Sequence, residues 1–70
     1  MQTTVDLMFD VQVLTHDGWL NRTQHDSRDV AFSHARAASD ADGGTYRLIS
    51  RDQHMLCLMT SHGSECWELD

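Results

Sequence analysis

Residues 25–44 read HDSRDVAFSHARAASDADGG, and the reading of this stretch decides the fold. Asp26 or Ser27 is suited to cap a helix N-terminus, Arg28 and Asp29 fill a first turn, and Gly43 and Gly44 supply a stop. Between them Ala31, Ala35 and Ala38 recur at i, i+4 and i+7, with Val30, His34 and Ala41 on one flank and Phe32 on the other. A stripe made mostly of methyl groups lets a helix lie close to something flat. The expected partner is a sheet, because every other segment reads as strand.

Upstream, residues 3–15 alternate with a period of two. Val5, Leu7, Phe9, Val11 and Val13 fall on one face, and Asp6, Met8, Asp10, Gln12 and Leu14 on the other. So long and apolar a strand belongs inside a sheet. His16-Asp17-Gly18 then signals a hairpin, for which two registers are open. A turn at Asp17 and Gly18 pairs Thr15 with Leu20 and sets Arg22 against Val13 on the apolar face. A three-residue loop with a bulge at Gly18 pairs Thr15 with Trp19 and carries Trp19 to the core beside Val11 and Val13. The second is preferred, because it buries a Trp and turns Arg22 outward.

Residues 19–25 are polar and read as an edge strand. After the helix, residues 45–51 place Tyr46 and Leu48 on one face and Arg47, Ile49 and Arg51 on the other. Asp52-Gln53-His54 turns the chain into the apolar strand 55–61, residues 61–64 turn it again, and residues 65–69 form a short last strand with Trp67. A right-handed crossover from strand two through the helix to strand three passes over strand one. The expected fold is therefore α+β: one small domain over residues 1–70, an antiparallel five-stranded sheet in the order 2-1-3-4-5, and one helix packed on one face. The outer face keeps Met8 and Leu14, with Met55, Cys57 and Met59 as further candidates, and would suit a partner or a second copy of the chain.

The 70 residues carry eleven carboxylates against five arginines and no lysine, a formal charge of −6. Phosphate binding needs clustered Lys and Arg, so direct nucleic-acid binding is not expected; a protein partner with a basic surface is. No apolar run approaches 18 residues, so no membrane contact is expected, and the location is expected to be cytoplasmic. In such a compartment Cys57 and Cys66 are expected to be free thiols. Their pairing turns on the second hairpin: a turn at His62 and Gly63 leaves them diagonal on one face, and a three-residue loop turns them apart.

No catalytic or metal site is expected. His54, Cys57, His62 and Cys66 include ligand types, but His54 and Cys57 fall on opposite faces of a strand and no Cys-x-x-Cys is present. His16, His54 and His62 fall in turns, His25 precedes the helix cap, and His34 sits on the flank of the helix stripe, where partial burial is expected. Ser27, Ser33, Ser61 and Ser64 suit caps and turns, and no phosphate loop or Gly-x-Ser-x-Gly occurs. The carboxylates are the candidate binding residues: Asp6 and Asp10 on the outer face of strand one, Asp40 and Asp42 at the end of the helix, Glu65 and Glu68 on the last strand. Asp40 and Asp42 lie where the helix dipole disfavours negative charge, which is a reason to ask what they are for.

Strand–strand–helix–three strands, with Ala31 and Ala35 following the cap and the chain closing on MLCLMTSHGSECWELD, resembles the small phage-borne type I anti-CRISPR proteins. The central Asp-Gly-Trp before an Ala-rich helix is also similar to small uncharacterised bacterial proteins. The anti-CRISPR with the most similar layout acts through lysines near the DNA path of the surveillance complex. This chain has no lysine, so those residues have no counterpart here. Other members are acidic and occupy DNA-binding surfaces as DNA mimics. The resemblance thus implies a non-enzymatic inhibitor without a cofactor, which would bind a basic DNA-binding surface of a type I CRISPR effector subunit in a bacterial host cell. The alternative is an accessory domain that dimerises or docks through its sheet.

Overall fold

In the computed structural model, residues 8–67 are described. They form β1 (Phe9–Thr15), β2 (Gly18–His25), α1 (Arg28–Asp42), β3 (Tyr46–Ser50), β4 (Met55–Thr60) and β5 (Gly63–Cys66). The sheet has the order β2-β1-β3-β4-β5 with every neighbouring pair antiparallel. This is the architecture that the sequence pattern implies. β2 and β3 flank β1, and the connection between them carries the helix across the sheet, where it packs on β1, β3 and β4. The expected beginning of strand one, with Val5 and Leu7, and the expected end of the last strand lie outside the described residues.

The helix starts at Ser27, whose extended backbone (φ −125°, ψ 129°) and Oγ, accepting from the Val30 N–H, make it the N-cap. It stops at Gly43, which adopts the left-handed conformation (φ 71°) and donates its N–H to the Ser39 carbonyl. Ala31 and Ala35 are fully buried, and Ala38 and Phe32 pack at the margin of the core. Beneath them lie Val11, Tyr46, Leu48, Leu56, Cys57 and Met59, with Phe9 and Val13 at the sides. Among the described residues no helix is long and apolar enough to cross a membrane.

Four expectations are corrected. The first hairpin takes neither register weighed above: Thr15 pairs with Gly18 across a two-residue turn, His16 and Asp17. Thr15 holds this turn closed, its Oγ1 donating to the Gly18 carbonyl at 2.8 Å and accepting the Asp17 N–H at 3.1 Å. Trp19 therefore pairs with Leu14 and faces away from the helix. A bulge at Arg22, between the pairs Gln12–Asn21 and Val11–Thr23, then restores the parity of β2.

The second correction concerns β4. Cys57 pairs with Leu48 and Met59 with Tyr46, so both lie on the core face, at 1% and 0% exposure. A bulge at Leu56 separates them from Met55, which stays on the outer face opposite Ile49. The third is the cysteine pair. The turn between β4 and β5 is Ser61 and His62, closed by Thr60 opposite Gly63, and this register sets Cys57 directly against Cys66 in a disulfide. Cross-strand partners are near enough to bond without backbone movement. The fourth is His34, which is exposed, while Ser39 takes the buried place in the helix stripe.

Candidate functional site

The helix carries most of the acidic groups of one layer. Asp26 precedes the cap, Asp29 lies in the first turn, and Asp40 and Asp42 lie in the last. Eleven residues at 100° each bring Asp29 and Asp40 back to nearly the same azimuth, about 16 Å apart along the axis. Between them the exposed positions are Val30, Ser33, His34 and Ala37, small or weakly polar side chains on an open surface.

The cations are differently placed. Arg36 turns toward the sheet: its Nη2 donates to the Thr60 carbonyl and to Asp40 Oδ1, both at 2.7 Å. Arg47, on the outer face, lies with its guanidinium carbon 4.2 Å from the Trp19 ring centroid and donates through Nε to Gln12 Oε1 at 2.7 Å. Burial there pushes its guanidinium below its ordinary value. Arg28 reaches Cys57 Sγ at 4.0 Å. By contrast, Asp26, Asp29, Asp52 and Glu65 form no ion pair with any described residue.

Asp42 has an internal role. Its Oδ1 accepts the Gly44 N–H at 2.8 Å and its Oδ2 accepts the Tyr46 hydroxyl at 2.7 Å. The Tyr46 bond, then the Gly44 bond, hold the carboxyl below its ordinary value against a small desolvation; the charge of Arg22 adds to the effect. The same bond, with burial, pushes the Tyr46 phenol up. Ser39 completes this corner, donating its Oγ to the Gly44 carbonyl at 2.7 Å. An acid at the helix end thus fastens the αβ connection, and its unfavourable interaction with the dipole is offset by two hydrogen bonds.

The remaining acidic candidates lie elsewhere. Asp10 is on the outer sheet face, bonded by Gln24 Nε2 at 2.8 Å. Glu65 pairs with Leu58, which pairs with Arg47, so it shares that face three strands away, about 14 Å from β1. Asp6 and Glu68 lie outside the described residues. The structure therefore separates Asp40 and Asp42 on the helix layer from Asp10 and Glu65 on the sheet layer. Asp29, which sequence reasoning used only as a first-turn residue, is the acid that joins Asp40 on the open side, and Asp26 is exposed just ahead of the cap. The helical repeat from Asp29 to Asp40 was the available signal.

Among the described residues, shallow concavities open directly to solvent at two places on the sheet. One, of about 260 Å³, lies beside His62, Glu65 and Leu58; the other, of about 270 Å³, lies beside Asp10 and Arg22. Among the described residues no three His, Cys, Asp or Glu side chains come together as a metal site. The nearest approach to a constellation is His25 with His34, rings 5.1 Å apart, and His25 Nε2 lies 3.0 Å from Thr23 Oγ1. Comparison with family models, curated proteins and solved structures finds no match to this chain.

Proposed function

We propose that this chain is a non-enzymatic binding protein that sets the acidic side of its helix on a basic protein surface. The observation that carries this reading is the acidic side of the helix, where Asp29 and Asp40 return to nearly one azimuth of α1 and both are exposed. Arg36 and Arg47 are tied to the sheet by hydrogen bonds and stacking, and Asp26 and Asp29 are exposed and form no ion pair with any described residue. A field of that sign attracts surfaces built to hold phosphates. The shallow concavities fit a protein that works by occupying a surface rather than by enclosing a substrate.

The setting we propose is inhibition of a type I CRISPR effector complex in the cytoplasm of a bacterial host, by competition with target DNA. The layout resemblance and the charge of −6 support it. The test is target-duplex binding by a purified type I effector complex, titrated with this protein at two salt concentrations. Competitive loss of duplex binding, weaker at high salt, is expected; unchanged binding at a large excess of the protein overturns the inhibitor reading.

A second reading, docking or dimerisation through the outer sheet face, is favoured by Leu14 and Met55. They are 48% and 39% exposed on the face that also carries Trp19. Sedimentation of the protein alone separates the dimer form of this reading from the first.

A further inference from the structure

The two sulfurs of the disulfide sit in unlike surroundings. Cys57 is in the core, 1% exposed, while Cys66 is exposed on β5, a four-residue edge strand whose every residue is exposed. A cation stands beside Cys57: Arg28, at the first position of the helix, holds Nη2 4.0 Å from its Sγ. Thiol–disulfide exchange requires a thiolate to attack one sulfur along the S–S axis while the other departs with the electron pair. Here Cys66 is an exposed residue on an edge strand, and Cys57 has a guanidinium near its sulfur to receive the charge.

We propose that Cys66 is a thiol-exchange site for small monothiols, with Cys57 as leaving and resolving group and Arg28 as its positioning charge. A monothiolate attacks Cys66 Sγ, the Cys57–Cys66 bond breaks, and Cys57 leaves as a thiolate beside Arg28; Cys66 then carries the monothiol as a mixed disulfide. In the reverse step the Cys57 thiolate attacks Cys66 Sγ and expels the monothiol. Attack by a second monothiolate on the sulfur of the bound monothiol instead releases the Cys66 thiolate and the monothiol's own disulfide, completing a two-electron reduction. Among the described residues β5 pairs with β4 and no other strand, so either product leaves this edge strand without its covalent tie to β4. The inference does not depend on the binding partner proposed above.

Glutathione is the probe. The oxidised protein is exposed to it, quenched with acid, alkylated and mapped by mass spectrometry. The expected product carries glutathione on Cys66 and alkyl on Cys57. Modification of Cys57 instead, or of both equally, overturns the assignment, as does failure of the air-oxidised protein to show a mass two hydrogens below the dithiol. With glutathione disulfide, Cys57→Ala is expected to be modified at Cys66, and folded Cys66→Ala to resist at Cys57. Arg28→Gln should slow reduction by glutathione about threefold or more, and Arg28→Lys should restore it; equal rates in all three proteins remove Arg28 from the mechanism. The mapping uses the unaltered chain, so it decides the site even where a variant loses its fold.

Discussion

At the scale of single residues, the corner formed by Ser39, Asp42, Gly44 and Tyr46 shows how an acid against the helix dipole can be structural. Ser39 is completely buried, and its hydroxyl satisfies the Gly44 carbonyl. Ser39→Ala removes the donor and is expected to cost about 1–2 kcal/mol in chemical denaturation. Asp42 and Tyr46 make stability depend on pH at opposite ends of the scale. Because the folded carboxyl sits below 3.8, the unfolded chain binds more protons there; the contribution of Asp42 is present above that value and lost as pH falls. The folded phenol sits above 10.0, so the contribution of Tyr46 is present below that value and lost as pH rises through the folded value. Melting curves should show a shallower acid-side decline for Asp42→Asn and a shallower alkaline-side decline for Tyr46→Phe. Unchanged profiles would mean that the hydroxyl–carboxylate bond is absent in solution. The sequence reading noticed Asp42 for the right oddity but could not supply its partner, because Tyr46 lies beyond the glycines that end the helix.

At the scale of elements, the helix and the sheet order were legible, since both rest on period and polarity. The alanine stripe has a 3.6-residue repeat, and β1 alternates strictly enough to place it inside. The hairpin registers were not legible by the same signals. Both follow a local device: Thr15-His16-Asp17-Gly18 and Thr60-Ser61-His62-Gly63 use the Thr hydroxyl to receive the N–H two residues on and to approach the Gly carbonyl. Gly18 (φ 112°) and Gly63 (φ 141°) close the turns in backbone conformations that other residues rarely adopt. The repeated Thr-x-x-Gly was present in the sequence, and it fixes which side Trp19 faces and whether the cysteines meet. Bulges at Arg22 and Leu56 hid the rest, because a bulge cancels alternation beyond it.

The helix–sheet contact gives a prediction at this scale. Ala35 is fully buried above the sheet, so Ala35→Leu should overpack the layer and cost about 1–3 kcal/mol. Arg36 is next to it but is no silent surface position. Its bond to the Thr60 carbonyl links helix to β4, and Arg36→Leu should cost about 1–2 kcal/mol by leaving that carbonyl and Asp40 without their donor. Denaturant midpoints for the two variants check both expectations. A neutral Ala35→Leu would show that the layers stand further apart.

At the scale of the whole molecule, the two layers carry acids on opposite sides, so the proposed docking can be assigned to one of them. Asp26, Asp29 and Asp40 belong to the helix side; Asp10 and Glu65 belong to the outer sheet face. Neutralising the helix-side set to Asn removes three charges from a surface where two of them have no ion pair among the described residues. Neutralising Asp10 to Asn and Glu65 to Gln changes the overall charge nearly as much but leaves that surface intact. Long-range attraction depends on total charge, whereas attraction near contact depends on charges within a Debye length of about 8 Å at physiological ionic strength. The helix-side variant should therefore associate with the basic partner more slowly at physiological salt, by roughly tenfold, while the sheet-side variant changes little. At low salt the two should converge, because both are then governed by total charge. Stopped-flow association with the effector complex, at both salt concentrations, measures this directly, and melting curves confirm that each variant is folded. Equal slowing at physiological salt would mean that charge acts without a preferred side. Slowing confined to the sheet-side variant would move the docking surface to the face of Leu14, Trp19 and Met55.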